Sequence, residues 1–280
     1  MGISRWIEIL FTTLWVSNHY KAVSQYPASL TDRQRQVTEN ILDPQHRKRK
    51  HPLRDIMNAI MYILKTGCQW RMLPKDFPPH NTVFYYFNKW KLEGVFEGLM
   101  DTLHRMVRKL MGREETPILG IIDSRSVKSS HHVDADRVID GNKKIKGRKE
   151  HIVVDTLGLP MSVVVHEANV HDSIGADGVI DKMKGCFPRL KKMLADGGYK
   201  GQKLSDTVRQ KLGAELTVVL RPDESSKKFS VLPLRWIVER SFSWLENFRR
   251  IAMDYEFYSD TGETMVQLAF CRLMYNKLCD

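Results

Sequence analysis

Residues 117–127 read PILGIIDSRSV, residues 150–168 read EHIVVDTLGLPMSVVVHEA, and residues 190–198 read LKKMLADGG. Short runs rich in Ile, Val, Leu and Met, bounded by Gly, Pro and Asp, are strand signals. The 150–168 stretch breaks once, at Gly158 and Pro160, so it predicts two strands joined as a hairpin. Helical patterns then alternate with strands. SIGADGVIDKMKG (173–185) is a helix with Asp172 or Ser173 as its cap, and GQKLSDTVRQKLG (201–213) is the next. AELTVVLRP (214–222) is a last strand, LPLRWIVERSFSWLENFRR (232–250) one long helix, and TGETMVQLAFCRLMYNKL (261–278) the final helix.

The order is three strands, helix, strand, helix, strand, helix. It predicts an α/β fold of mixed α+β character, with a mixed five-stranded sheet and helices on its faces. This is the element order of an RNase H-like domain, expected over residues 116–280. In it the first and fourth strands can lie side by side.

Residues 26–115 read differently, as an all-helical unit. LTDRQRQVTENIL offers Thr31 or Asp32 as an N-cap. In PLRDIMNAIMYILKTG, Leu53, Ile56, Met57, Ile60, Met61 and Leu64 fall on one helical stripe, with Pro52 opening the helix and Gly67 closing it. A proline-rich turn follows, then TVFYYFNKWKLEGVF, capped by Asn81 or Thr82, then FEGLMDTLHRMVRKLMG. A helix, a turn and an aromatic, basic helix have the outline of a helix-turn-helix module. A plain bundle with Phe84, Tyr85, Phe87 and Trp90 in its core fits the pattern too. Residues 1–25 are an extension of unknown role. Their apolar stretch WIEILFTTLWV is too short to span a bilayer and holds Glu8.

Three carboxylates stand out in this frame. Asp123 ends the apolar run ILGIID, Asp196 ends KKMLAD, and Glu239 lies within the 232–250 helix. A carboxylate leaving a buried strand costs on the order of several kcal/mol unless it is paired or binds a metal. Two strand-end aspartates with a helical glutamate suit a two-metal phosphoryl-transfer site, because hard divalent ions want oxygen ligands. Asp196 before Gly197 and Gly198 is also an ordinary turn former. Arg235 lies one helical turn before Glu239 and can hold that glutamate or a phosphate. Asp155 and Glu246 are the rival carboxylates, the first read as a turn residue and the second as solvent-facing.

The 280 residues carry a formal charge of +11, and the basic residues cluster. HRKRKHPLR holds Arg47, Lys48, Arg49 and Lys50; KKIKGRKEH holds Lys143, Lys144, Lys146, Arg148 and Lys149. Such clusters attract phosphate backbones without reading sequence, so nucleic acid is the expected partner, ahead of a solvated basic surface or an anionic membrane. The four cysteines form no CxxC pair and the ten histidines no HExxH, so neither a zinc ribbon nor a zincin is indicated, and a reducing cytoplasm fits. Neither a membrane nor a small-molecule substrate is expected.

Six segments recur together in a recognisable order: YPASLTDRQ, LRDIMNAIMYILKTGCQWRMLPKDFPPHNTVFYYFNKW, GIIDSRSVKSS, KGRKEHIVVDTLGLPMSVVV, ADGGYKG and RWIVERSFSWLENFRR. Over residues 26–278 the chain resembles the bacterial insertion-sequence-five transposases. That resemblance implies a DDE transposase with Asp123, Asp196 and Glu239 as catalytic and metal-binding residues. It also implies a two-metal site for Mg²⁺ or Mn²⁺, and double-stranded DNA, as insertion-sequence terminal repeats and target DNA, as the substrate. A homodimer or higher oligomer on DNA and a bacterial, nucleoid-associated location follow from it as well. The chain departs from the related Tyr-x2-Arg-x3-Glu-x6-Lys signature: Arg235 and Glu239 match, but Leu232 and Glu246 take the tyrosine and lysine places. Arg249 and Arg250 lie near enough to supply a phosphate contact instead, and Arg125 stands where relatives usually have an uncharged amide. A catalytically silent DNA-binding descendant is the alternative. A different RNase H-like nuclease, such as a resolvase, fits the helix-rich front half poorly.

Overall fold

The computed structural model describes residues 26–42, 50–130, 138–141, 144–219 and 234–279. Among the described residues four α-helices come first: α1 (Asp32–Leu42), α2 (Leu53–Thr66), α3 (His80–Leu92) and α4 (Val95–Leu110). Thr31 caps α1 reciprocally with Gln34: each backbone N–H donates to the other's side-chain oxygen, at 3.2 and 3.3 Å. Helix α2 runs between Pro52 and a left-handed Gly67 as its sequence demands, and all six stripe residues are buried. Helix α3 begins at His80 behind Pro79, ahead of the two caps expected for it.

The sheet is built from β1 (Leu119–Lys128), β2 (Val138–Ile139), β3 (Lys146–Val154), β4 (Pro160–Glu167), β5 (Lys192–Ala195) and β6 (Glu215–Val218). Among the described residues it has six strands where five were expected, because the two-residue β2 pairs with the start of β3. β1 lies between β3, antiparallel, and β5, parallel; β4 extends the sheet beyond β3 and β6 beyond β5. The first and fourth long strands are thus neighbours, with Gly120 opposite Met193 and Ile121 opposite Leu194. The remaining helices are α5 (Asp172–Met183), α6 (Gln202–Leu212), α7 (Arg235–Leu245), α8 (Arg249–Ala252) and α9 (Ser259–Cys279). The single long helix expected over 232–250 is two, because residues 246–248 break it. Helix α5 is capped by His171, whose side chain accepts from the Ser173 amide, and not by Asp172 or Ser173.

Alternation along β1 and β3 sends odd and even residues to opposite faces. On one face Ile122, Val153 and Met161 pack with Val179 and Ile180 of α5 and Val208 of α6. On the other, Ile121, Ile152 and Val154 join α7, α9 and the front helices in one apolar cluster. That cluster runs unbroken across the boundary expected at residue 115, from Leu30 to Tyr275. Helix α9 lies within it, which is why its sequence shows no apolar stripe: Met265, Leu268, Ala269, Phe270 and Cys271 are all essentially buried. None of the described helices is long and apolar enough to cross a membrane.

Candidate active site

Asp123 does not end its strand. β1 continues to Lys128, so the aspartate sits mid-strand opposite Ile152, on the α7 face of the sheet. The following amide fixes its carboxylate, with Ser124 N–H donating to Oδ1 at 2.8 Å. Asp196 stands just past the end of β5 and opens a short 3₁₀ turn, Gly197–Tyr199. Its Oδ1 accepts from the Gly198 amide at 2.8 Å, so the aspartate is at once a turn former and a carboxylate aimed at the cleft. Glu239 projects from the first half of α7.

Arg235 joins the three. Its Nη2 lies 3.3 Å from Asp196 Oδ2 and 4.0 Å from Asp123 Oδ2, while its Nε is 3.2 Å from Glu239 Oε1. The expectation that this arginine reaches Glu239 holds, and it reaches both aspartates besides. Beside the guanidinium a small cleft is lined by Ile121, Ile122, Asp123, Leu194, Ala195, Asp196, Val219 and Arg235. Among the described residues no three His, Cys, Asp or Glu side chains are already drawn together into a metal cage. The cation at the centre is the arginine. Three carboxylates disposed around one positive group are a donor set of the kind a hard divalent ion takes.

Helix α7 is held in place by the β3–β4 turn. Gly158, with φ of +79°, comes so close that a Cβ there would lie 2.9 Å from Ser241 Oγ. Ser241 Oγ and Arg240 Nη2 donate to the carbonyls of Gly158 and Leu157. Arg240 is stacked between Trp236 and Trp244. Arg125 turns inward, to Glu150 at 2.7 Å and over the Phe242 ring.

The rival carboxylates go elsewhere. Asp155 is wholly buried and accepts from the Leu157 and Leu159 amides, closing the hairpin turn as its sequence suggests. It also pairs with Arg108 and, at 3.3 Å, with His104 of α4. Burial pushes its carboxyl up, but the His104, Leu159 and Arg108 contacts outweigh that and hold it below the ordinary value. Glu246 is exposed, beyond the end of α7.

Two of the expected DNA contacts need correction. Arg148 is fully buried, bound to Asp254 Oδ2 and the Glu256 carbonyl at 2.8 Å each and to the Phe257 carbonyl at 2.6 Å. Lys149 is 4 % exposed and donates to the Val170 carbonyl at 2.9 Å, beside Asp172 at 3.0 Å. Both sit within β3, where alternation sends them to opposite buried faces rather than to a surface. Lys50, Lys144 and Lys146 are exposed. Arg47, Lys48, Arg49 and Lys143 lie outside the described residues. On α3, Phe87 and Trp90 are core, as a bundle requires, while Phe84 and Tyr85 are exposed, at 43 % and 61 %.

A second polar group of residues, on the opposite side of β1, was not legible as part of the site. Asp172, read in sequence only as a helix cap, accepts from Ser124 Oγ at 2.9 Å and pairs with Lys149. Tyr199, three residues after Asp196, is buried with its hydroxyl 3.1 Å from His151 Nδ1.

An aspartate in mid-strand, an aspartate at the end of the parallel neighbouring strand and a helical glutamate thus meet at one arginine. Residues 114–274 match the family model described as Transposase DDE domain, and the chain belongs to that family. Residues 30–100, which include the front helices α1 to α3, match a second model, described as Putative transposase of IS4/5 family. A putative transposase for insertion sequence element IS402 from Burkholderia cepacia is 30% identical over 139 residues, covering 47% of this chain. This chain spans 64% of that relative's length. Among solved structures, a Mos1 transposase paired-end complex with left transposon end superposes with a TM-score of 0.25 at 11% identity. That superposition covers 65% of this chain and 64% of that one, a likeness too slight to carry an argument.

Proposed function

We propose that this protein is a DDE transposase that binds insertion-sequence ends and catalyses metal-dependent DNA strand cleavage and strand transfer. The observation that carries the reading is the meeting of Asp123, Asp196 and Glu239 around one guanidinium, in a chain of the Transposase DDE domain family.

Asp123, Asp196 and Glu239 would hold Mg²⁺ or Mn²⁺ in a two-ion site. Bound there, such ions activate an attacking oxygen and stabilise the leaving one. The chain supplies position and shape. The Ser124 and Gly198 amides set the aspartate rotamers before any ion arrives. The packed turn at Gly158 and the Trp–Arg–Trp ladder fix the helix that carries Glu239. Arg235, beside all three carboxylates, would be the group within reach of a scissile phosphate.

Residues 26–115 serve as the DNA-binding and assembly unit and 116–280 as the catalytic unit, with 1–25 an extension. Lys50, Lys144 and Lys146, with Arg47, Lys48, Arg49 and Lys143, meet phosphates of terminal-repeat and target DNA. The exposed Phe84 and Tyr85 put the outer side of α3 against the transposon end. A homodimer or higher oligomer assembles there, in the bacterial nucleoid.

The arginine filling the centre of the trio, with Leu232 and Glu246 in place of the related signature's tyrosine and lysine, favours a second reading: a catalytically silent protein that still occupies the ends. Incubation with the flanking DNA of its own gene, with and without Mg²⁺, separates the two. Metal-dependent nicking at the element boundary supports the transposase. Specific end binding without any nicking supports the silent descendant.

A further inference from the structure

We infer that Asp172 is a positioning residue for the acidic trio, setting the separation of Asp123 and Asp196 from beneath the sheet through Ser124, Lys149 and Gly198. The inference rests on the reading of that trio as a divalent-metal site.

Side chains alternate along β1, so Ser124 points away from the face that carries Asp123. Its hydroxyl donates to Asp172 Oδ1 at 2.9 Å, which pins the strand immediately beside the aspartate. Lys149 Nζ reaches the same oxygen at 3.0 Å from β3, and is itself tied to the Val170 carbonyl at 2.9 Å. The other oxygen faces the second aspartate. A Cβ built on Gly198 would lie 3.0 Å from Asp172 Oδ2 and 3.1 Å from Asp196 Oδ1. A side chain at position 198 would press on both carboxylates. The same Gly198 donates the amide hydrogen bond that orients Asp196. One side chain thus bonds the residue after Asp123 and lies close beside the residue that holds Asp196. The two strands are neighbours in the sheet, but the lateral offset between these carboxylates is decided at this shared support.

The electrostatics run the same way. Asp172 is the first residue of α5, where the helix dipole favours a negative group. Lys149 balances that charge. Removing the carboxylate would loosen both aspartates while leaving every metal-binding oxygen present.

The test uses the full chain and Mn²⁺ as the probe, with bound metal read from the Mn²⁺ electron paramagnetic resonance signal and cleavage read on end DNA. Asp172→Asn should weaken Mn²⁺ binding by about 10- to 100-fold, as loss of an outer partner of a metal ligand typically does. The metal concentration for half-maximal cleavage should rise in step, while metal-free binding to end DNA stays unchanged. Adding Lys149→Met to Asp172→Asn should not restore the affinity. Ser124→Ala, a smaller perturbation, should give a weaker loss in the same direction and serves if Asp172→Asn fails to fold. Wild-type Mn²⁺ affinity in Asp172→Asn or, if that variant does not fold, in Ser124→Ala overturns the inference. So does recovery in the double variant, because Asp172 would then only neutralise a buried lysine. Wild-type protein that takes up no Mn²⁺, or whose uptake survives Asp196→Asn, overturns the metal-site reading and this inference with it. Uptake lost in Asp196→Asn but untouched in Asp172→Asn overturns this inference alone.

Discussion

Arg148 and Arg235 stand near the same sheet and live in opposite circumstances. Arg148 is sealed, with no exposed surface and with a carboxylate and two carbonyls at fixed distances. Arg235 is 22% exposed and spreads one guanidinium over three carboxylates at the mouth of a cleft. A buried ion pair cannot exchange partners, because freeing either charge leaves the other unpaired in a poor solvent. A shared, half-exposed cation among several acids can be replaced by a stronger one. The first arrangement reads as architecture and the second as a place reserved for changing occupants.

That contrast breaks most sharply at the carboxylates themselves. Asp196→Asn should lower metal-dependent end cleavage about a thousandfold or more, the equivalent of about 4 kcal/mol of lost transition-state stabilisation. Binding of end DNA without metal should persist, and wild-type cleavage would remove Asp196 from the chemistry. Arg148→Met should instead act on folding, by about 3–5 kcal/mol, since it strands Asp254 in the interior. Urea unfolding measures this, and a loss under about 1 kcal/mol would refute the structural role given to Arg148.

A pH series sharpens the architectural side. The Asp155 carboxyl is held below its ordinary value of 3.8. A depressed carboxylate contributes stability that is complete above its unfolded value and is lost as pH falls through the lower, folded one. Asp155→Asn should therefore reduce stability at neutral pH and flatten the acid-side decline below roughly pH 4. An unchanged acid limb would mean that other carboxylates govern it. Glu150 works in the opposite sense: burial raises it even against Arg125, so its ionised form is the costly one at neutral pH.

Smaller effects are expected at the exchangeable site and on the surface. Arg235→Gln should cost about 1 kcal/mol in metal-free protein, the discounted worth of exposed ion pairs. It should also enlarge the thermal stabilisation that Mn²⁺ provides, and a reduced metal response would show that the arginine helps rather than holds the metal's place. Lys144→Ala and Lys146→Ala should each reduce the log–log salt slope of DNA binding by about 0.9 if each lysine neutralises one phosphate. Lys149→Ala should leave that slope alone.

Much of this was written in local pattern. The apolar runs before Asp123 and Asp196, the hairpin at Gly158 and the stripe on α2 each express a short-range rule, and each element appears where its residues ask for it. The failures are equally physical. Arg148 and Lys149 look like part of a basic cluster because Lys143, Lys144 and Lys146 precede them, yet β3 carries them inside. Their buried partners, Asp254 and Asp172, come from distant parts of the chain. Asp172 looked like a cap because it opens a helix, and nothing near it in sequence announces Ser124 beneath Asp123. The α7 break at 246–248 was masked by continuing helical periodicity through Asn247 to Arg250. Strand β2 is too short to carry a period at all.

The closure between the two ends of the described chain has a consequence for how the molecule is made. Thr38 Oγ of α1 donates to the Tyr275 hydroxyl of α9 at 2.6 Å across 237 residues of sequence, and Arg272 reaches back to Gln34 and the Ser29 carbonyl. At roughly 5–20 residues per second on a ribosome, the partner of α1 is translated tens of seconds after it. Of the described helices, the first to emerge is therefore complete long before the last one that it packs against. Throughout that interval α1 and α2 lack the helix they pack against in the folded chain, so their apolar faces wait for α9 before they are covered.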